Sequence, residues 1–543
     1  MLFRSPLPDV DIPQNVSLTE YVLFAPCAAA RDDASCMLDG ITGREWSHAE
    51  LVHDVKRLAG GLQQVFAGCP DSGVRFDSKP RPTLALVAPN SPWYALVFHA
   101  AAWAGGVVTT ISPAHTASEM RTQLLDSGAT VLVVSSAVRH VVLDAIEGTH
   151  VRPDNVLTIE MSDHGRSVEQ LIQDSAPLEA QAPVSCDDIV VLPFSSGTTG
   201  MNKGVMLSHG NCIANLVQVA QVVPHEPGDV ALAVLPFFHI YGLQVVMNAL
   251  LARSVSIVTL PRFELEQVLT VIQERKVSWF YAVPPIILAL AKHPLVEKYD
   301  LSSLKVIFSG AAPLSAQLTQ DCASRLGCLV LQGYGMTEMS PVSHSAIGFR
   351  NKPGSSGVTI PSTECMIVDP TTGAPCGSDT DGELWVRGPQ VMKGYLNAPE
   401  ATAATIDGQG WLHTGDVAHF DADGFIYIVD RIKELIKYKG FQVVPAELEG
   451  ILLTHPAIAD AAVIGVPDRD GAAGELPKAY VVLKPGTEAS VSERDIQHFV
   501  VGKVATYKQI HFVEFTDKIP RAASGKILRR ELRDRRDAHE KAT

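Results

Sequence analysis

Residues Ser195-Ser196-Gly197-Thr198-Thr199-Gly200-Met201-Asn202-Lys203-Gly204 follow the apolar, β-branched run Ile189-Val190-Val191-Leu192. The run reads as a buried strand, and the apolar pattern from Asn211 to Val219 suits a helix beyond the loop. The loop between them holds three glycines, four hydroxyls and one lysine. Glycine lets backbone N–H groups converge without Cβ clashes, and the hydroxyls and the Lys203 ammonium supply further donors to an anion. Gly/Ser/Thr clusters are commonly plain surface loops. One this rich in donors, fed by a buried strand, reads instead as a phosphate cradle.

It is not a Walker A loop, because no Gly-Lys-Ser/Thr closes a segment of the required spacing. No Gly-x-Gly-x-x-Gly follows a strand either, which removes support for a dinucleotide-binding site. The stretch resembles the phosphate loop of the adenylate-forming superfamily, which spans acyl-CoA synthetases, luciferases and peptide-synthetase adenylation domains. The pattern there is S-S-G-T-T-G-x-P-K-G, and this chain departs from it at Asn202. The resemblance implies that Ser195, Ser196, Gly197, Thr198, Thr199, Gly200 and Lys203 contact ATP.

At 543 residues the chain exceeds one ordinary core, so at least two domains are expected. Its 46% hydrophobic and 19% charged residues describe a globular protein with a large interior. A net charge of −15 argues against non-specific nucleic-acid binding, so positive charge for a nucleotide has to be gathered locally. Nine cysteines stand singly from Cys27 to Cys376 with no C-x-x-C pair, as expected of reduced thiols rather than a disulfide or zinc framework. Neither a secretory signal at Met1–Pro6 nor a peroxisomal tripeptide at the last residues is read, and the expected compartment is the cytoplasm.

Elsewhere short β-branched runs alternate with helical ones. Examples are a helix over Ala49–Val65, strands at Thr83–Val87, Val107–Ile111 and Thr130–Val134, and helices at Trp93–Ala104 and Ser118–Asp126. The alternation resumes after the loop and predicts an α/β protein with parallel strands joined by crossovers. Val230–Ala252 is almost wholly apolar, but Pro236, His239 and Gly242 in its middle predict a strand, a turn and a core helix rather than a membrane span.

The later motifs fall in the superfamily's order. Pro236-Phe237-Phe238-His239-Ile240-Tyr241-Gly242 follows a strand. A lone histidine among aromatics is usually a core residue, but the resemblance places His239 beside the substrate carboxylate, where a neutral imidazole adds no competing anion. Ser309-Gly310-Ala311-Ala312-Pro313 offers small residues at a strand end, against which a base can lie flat. Gln332-Gly333-Tyr334-Gly335-Met336-Thr337-Glu338 supplies a ring for adenine stacking at Tyr334, a phosphate donor at Thr337 and a Mg²⁺ carboxylate at Glu338. By resemblance, Gly310, Ala311, Ala312, Gln332, Gly333, Tyr334 and Thr337 belong to the nucleotide site, Asp416 of Thr414-Gly415-Asp416 holds the ribose hydroxyls, and Arg431 meets the ribose.

A charged run from Val429 to Val443 marks a boundary, giving an AMP-binding domain over 1–430 and a small mobile α+β domain over 431–543. The larger one is expected to combine mostly parallel sheets with a strand-rich part after Gly382. In the small domain Pro445 opens a helix, and Ser490 with Glu493 predicts a capping box. The run resembles the hinge of 4-coumarate–CoA ligases and beetle luciferases, which puts Lys433 at the hinge and Lys437 and Gln442 at the active site during thioester formation. Lys526, in Ser524-Gly525-Lys526, resembles the lysine that bridges carboxylate and α-phosphate during adenylation, and arginines from Arg529 to Arg536 beyond it offer further positive charge.

The resemblance is nearest to the 4-coumarate–CoA ligase group. It implies an ATP-dependent acid–thiol ligase using Mg²⁺ and CoA on a small carboxylic acid, with transfer to an amine or a luciferase-type oxygenation as the alternatives. His239, Thr337, Lys437 and Lys526 are the expected catalytic residues. The acyl pocket is assigned to His239, Tyr241, Val245, Phe308, Gly310, Gly335 and Val342. Val245 and Phe308 stand where plant coumarate ligases commonly carry serine and lysine, so an apolar tail is expected to be favoured over a para-hydroxylated ring, with the Tyr241 hydroxyl as the one polar exception.

Overall fold

The computed structural model describes residues 1–24, 35–71, 74–75, 81–161, 165–195, 202–347, 352–439, 441–468, 474–487, 491–522 and 525–542. Two sheets built on parallel strands organise the larger part. The first runs in the order Gly394–Tyr395, Lys203–Ser208, Ile189–Ser195, Val107–Ile111, Thr83–Val87, Val131–Val134, Val156–Thr158. Its last five strands are mutually parallel. Buried for most of their length on both faces, they are mostly apolar, with threonines such as Thr109 and Thr110 buried among the aliphatic residues. The second sheet has nine strands, with Trp279–Ala282 between Val230–Ala233 and Val306–Ser309, all parallel.

Helix Pro92–Trp103 touches strands of both sheets, which is why all but one of its residues are buried and why it is apolar all round. Helix His48–Ala67 opens on a capping box in which Ser47 and Glu50 satisfy each other's backbone N–H groups. A third, antiparallel sheet takes Leu2–Arg4, Glu364–Val368, Gly382–Arg387, Leu412–Phe420 and Ile426–Arg431. The core that joins these three sheets runs to Ile426, whereas residues from Ile436 to Leu532 build two clusters of their own. Those clusters surround the sheet Ile458–Pro467, Glu475–Leu483, Phe512–Phe515 and the hairpin Ile436–Tyr438 with Phe441–Val443.

Three placements add to the sequence reading and one expectation is corrected. The phosphate loop does not pass straight into the helix: a strand, Lys203–Ser208, folds back antiparallel on Ile189–Ser195 before helix His209–Val222 begins. Tyr334 lies in strand Leu329–Gly335, whose end pairs with Val342–Ser345. Asp416 lies inside strand Leu412–Phe420. The capping box of helix Glu493–Val500 is made by Ser492 and Asp495, two residues beyond the expected pair; Ser490 lies outside the described residues.

Among the described residues no helix is long and apolar enough to cross a membrane. Val230–Ala252 becomes a strand, a turn and a buried helical segment over Tyr241–Leu251, most of it π-wound.

Candidate active site

Strands of both parallel sheets deliver residues at their carboxyl ends to one cavity of about 1070 Å³. Ser195 ends its strand there, Gly310 follows Val306–Ser309, and Gly333, Tyr334 and Gly335 end theirs. A Cβ at Gly310 would sit 2.8 Å from the Tyr241 ring, and one at Gly335 would lie 2.0 Å from the Pro341 carbonyl oxygen. Both positions therefore require glycine. His239, Tyr241, Val245, Phe308, Ala311 and Val342 line the same space, as do Thr337, Glu338, Arg431, Lys433 and, from the far end of the chain, Lys526.

Cations collect here in an otherwise acidic molecule: Lys203, Arg431, Lys433, Arg521 and Lys526 all reach the wall. Burial, then the Arg431 guanidinium, pulls the Lys526 ammonium down to about 8. Burial and next Lys526 hold the His239 imidazole down at about 4, so it is neutral near pH 7. Its Nδ1 accepts the Tyr241 backbone N–H at 3.3 Å. The ring proton therefore resides on Nε2, a donor suited to a carboxylate.

Glu338 is buried, and its Oε1 accepts from Tyr395 Oη at 2.8 Å and Ser195 Oγ at 3.2 Å. Its second oxygen has no such partner among the described residues, and no cluster of three or more metal-ligating side chains occurs among them. One oriented carboxylate in a phosphate site fits Mg²⁺, which keeps waters and takes substrate phosphates as ligands. Lys203 Nζ lies 4.9 Å from the Tyr395 ring centroid. Tyr395 is thus a site residue that sequence reading missed. It is brought in by the non-local pairing of Gly394–Tyr395 with Lys203–Ser208.

Tyr334 Oη donates to Asp416 Oδ2 at 2.5 Å, and Arg431 Nε to Asp416 Oδ1 at 3.1 Å. Burial and Asp416 raise the Tyr334 phenol, which stays protonated. Asp416 itself is buried behind the wall rather than in it. Gln332 is also outside the wall: its amide bonds both the N–H and the C=O of Leu314, bracing the turn that carries Ala311 and Ala312. Ala312 does not line the cavity.

Ser196, Gly197, Thr198, Thr199 and Gly200 lie outside the described residues; Asn202 and Lys203 at the loop's end line the cavity. Lys437 and Gln442 are absent from the wall; they pair across the hairpin, exposed to solvent. Arg529 and Arg533 are not spare charges: they pair with Glu449 and Glu434, each at 2.8 Å.

Residues 24–396 match the AMP-binding enzyme family, and residues 447–526 match the AMP-binding enzyme C-terminal domain. The chain belongs to the AMP-binding enzyme family. It is 42% identical to 4-coumarate–CoA ligase 2 of Oryza sativa subsp. japonica, covering 98% of this chain and 94% of that protein. Its fold is similar to the anthranilate CoA ligase AuaEII in complex with anthranoyl-AMP (TM-score 0.85, 26% identity, 96% and 98% of the two chains). It is also similar to the amide bond synthetase McbA from Marinactinospora thermotolerans (TM-score 0.81, 26% identity, 95% and 99%). The chain is an acid–thiol ligase of 4-coumarate–CoA ligase-like type, with the mixed α/β architecture of adenylate-forming enzymes.

Proposed function

We propose that the chain joins a carboxylic acid, of aryl, cinnamyl or medium-chain type, to CoA through an acyl-adenylate. The observation that carries this is the convergence of Lys526, neutral His239 and Glu338 on one cavity from three distant parts of the sequence. A carboxylate oxygen attacks the α-phosphorus of ATP, the bond to the β-phosphate oxygen breaks, and pyrophosphate leaves. His239 Nε2–H orients the carboxylate, while Lys526 and Thr337 donate to the oxygens on which charge builds. Mg²⁺, held by Glu338, would neutralise phosphate charge. Arg431, oriented by Asp416 behind the wall, meets the ribose, and Tyr334 the adenine.

In the second step the CoA sulfur attacks the acyl carbon after losing its proton, and AMP departs with the electrons of the acyl–phosphate bond. Lys437 and Gln442 serve this step, brought to the cavity when a small domain starting at residue 431 turns about Lys433. Cytoplasm is the compartment that the eight free cysteines among the described residues suit.

Similarity to an amide bond synthetase supports a second reading, transfer of the acyl group to an amine. Pyrophosphate release across an acid panel, with and without CoA and with mass detection of products, separates them. Acyl-CoA is the expected product; an amide formed from an added amine, with no acyl-CoA, would overturn the CoA reading.

A further inference from the structure

His239 and the phosphate loop hang from different sheets, and two side chains tie them together. Ser195 ends strand Ile189–Ser195 of the first parallel sheet, whereas His239 stands in the turn that follows Val230–Ala233 of the second. Adenylation brings a carboxylate oxygen onto the α-phosphorus, so the spacing of the two sheets bears on the distance between the reacting groups.

Asn90 and Thr110 span that gap from the first sheet. Asn90 lies in the turn after strand Thr83–Val87 and Thr110 in the neighbouring strand Val107–Ile111, and each is 4% exposed. The Asn90 side chain donates to the Leu235 carbonyl at 2.8 Å and accepts the Phe237 N–H at 2.7 Å. Thr110 Oγ1 donates to the Phe238 carbonyl at 2.8 Å. Three backbone groups within the four residues before His239 are thereby held by the opposite sheet. The turn closes on itself where the His239 N–H meets the Pro236 carbonyl at 3.1 Å. At the other end, Thr110 pairs in register with Pro193, two residues before Ser195. Gln123 Nε2 donates to the Thr110 carbonyl at 3.0 Å and secures that strand end. Leu235 to Phe238 lie outside any strand, so no ladder supplies these partners, and buried backbone groups are costly to leave unpaired. Thr110 reaches the cavity wall, but its one hydroxyl proton is spent on Phe238.

We infer that Asn90 and Thr110 are positioning residues for the first chemical step: they set where His239 stands relative to the phosphate loop, and hence how closely the acid's carboxylate approaches the α-phosphorus. The inference rests on the proposed acyl-adenylate chemistry. Misplacing reacting groups by about 1 Å costs on the order of 10²-fold in rate. Loss of these ties therefore falls on kcat for adenylation more than on KM for the acid, whose assigned pocket belongs to the second sheet and its connections. Thioester formation from a preformed acyl-adenylate escapes the loss, because the carboxylate and the phosphate are already joined.

Thr110→Val removes the hydroxyl at nearly constant volume. It should lower kcat for pyrophosphate release about 3- to 10-fold, the span of one net hydrogen bond, with KM for the acid within about twofold of wild type. Thioester formation from synthetic acyl-adenylate and CoA should stay near wild type. Thr110→Ser, which keeps the donor, should restore kcat. Asn90→Ala, which frees two backbone groups, should cost more on the same step, on the order of 10²-fold. In a His239→Ala background Thr110→Val should add little, since the tie acts through the histidine. Equal losses in both half-reactions, an undiminished further loss in the His239→Ala background, or wild-type kcat in Thr110→Val overturns the inference while leaving the ligase reading intact. Absence of pyrophosphate release by the wild-type protein with every acid would instead remove the ligase reading, and this inference with it.

Discussion

Lys526 and Lys437 project from the same small unit in opposite circumstances. The Lys526 turn is pinned to the sheet strand Ile458–Pro467 by Arg521, which pairs with Asp460 at 2.8 Å and also bonds the Gly525 carbonyl. It reaches into the cavity, where a Cβ on Gly525 would lie 3.3 Å from Val283 Cβ in the larger part of the chain. The Lys437 hairpin hangs on the same sheet through Ile436 and Val443 in its core and through a Lys437 N–H bond to Glu475 Oε2. Its Lys437, Gln442 and Phe441 nevertheless face solvent. Burial has moved one ammonium toward neutrality and left the other at the surface. In this placement the unit presents Lys526 to the cavity and Lys437 to solvent, so the role we propose for Lys437 in the second step calls for a second placement of the same unit.

The strongest way to break this contrast is Lys526→Ala. Removing one oriented donor from a site of developing charge costs on the order of 10²–10³ in rate. Pyrophosphate release from acid and ATP should fall by that factor, while thioester formation from synthetic acyl-adenylate and CoA stays near wild type. Equal losses in both steps would erase the distinction between the two lysines.

The hairpin should show the converse with a smaller effect. Lys437→Ala and Gln442→Ala should each slow thioester formation by roughly 10-fold, as for loss of one hydrogen bond to a charged group, and leave pyrophosphate release unaltered. Stopped-flow measurement of the two half-reactions checks this. Slower pyrophosphate release would place the hairpin in the first step.

Acidity sharpens the comparison further. If the ammonium form of Lys526 is the active one, kcat/KM for adenylation is full below about pH 8 and declines up to tenfold per unit above it. Bound carboxylate and phosphate favour the charged form, so the same limb in kcat should move to higher pH. Lys526→Arg should abolish the limb. Persistence of a limb near pH 8 in that variant would assign it to another group.

How far the sequence disclosed this arrangement depends on the range of the interactions involved. Thr83–Val87 and Val107–Ile111 were legible because strands buried on both faces carry their signal in consecutive residues. His239, Glu338 and Lys526 were legible through their motifs, whose residue types follow from the charges they would meet. Strand Lys203–Ser208 was not, because its six residues alternate weakly and its pairing is set by Ile189–Ser195.

Gln332 illustrates the opposite error. It stands in the expected motif, yet its amide is spent on Leu314. Tyr281 stands in the apolar strand Trp279–Ala282, and only folding brings His225, 56 residues earlier, to its hydroxyl. Tyr395 became visible only when Lys203 and Glu338 were placed on either side of it.

The claim that the small unit must turn between steps is tested most directly by a staple. Val283→Cys with Gly525→Cys puts two thiols on Cβ positions 3.3 Å apart, close to the spacing of a disulfide. The oxidised protein should release one equivalent of pyrophosphate from acid and ATP and form no acyl-CoA, and a reductant should restore turnover. Thioester formation at the full rate in the crosslinked protein would contradict the account.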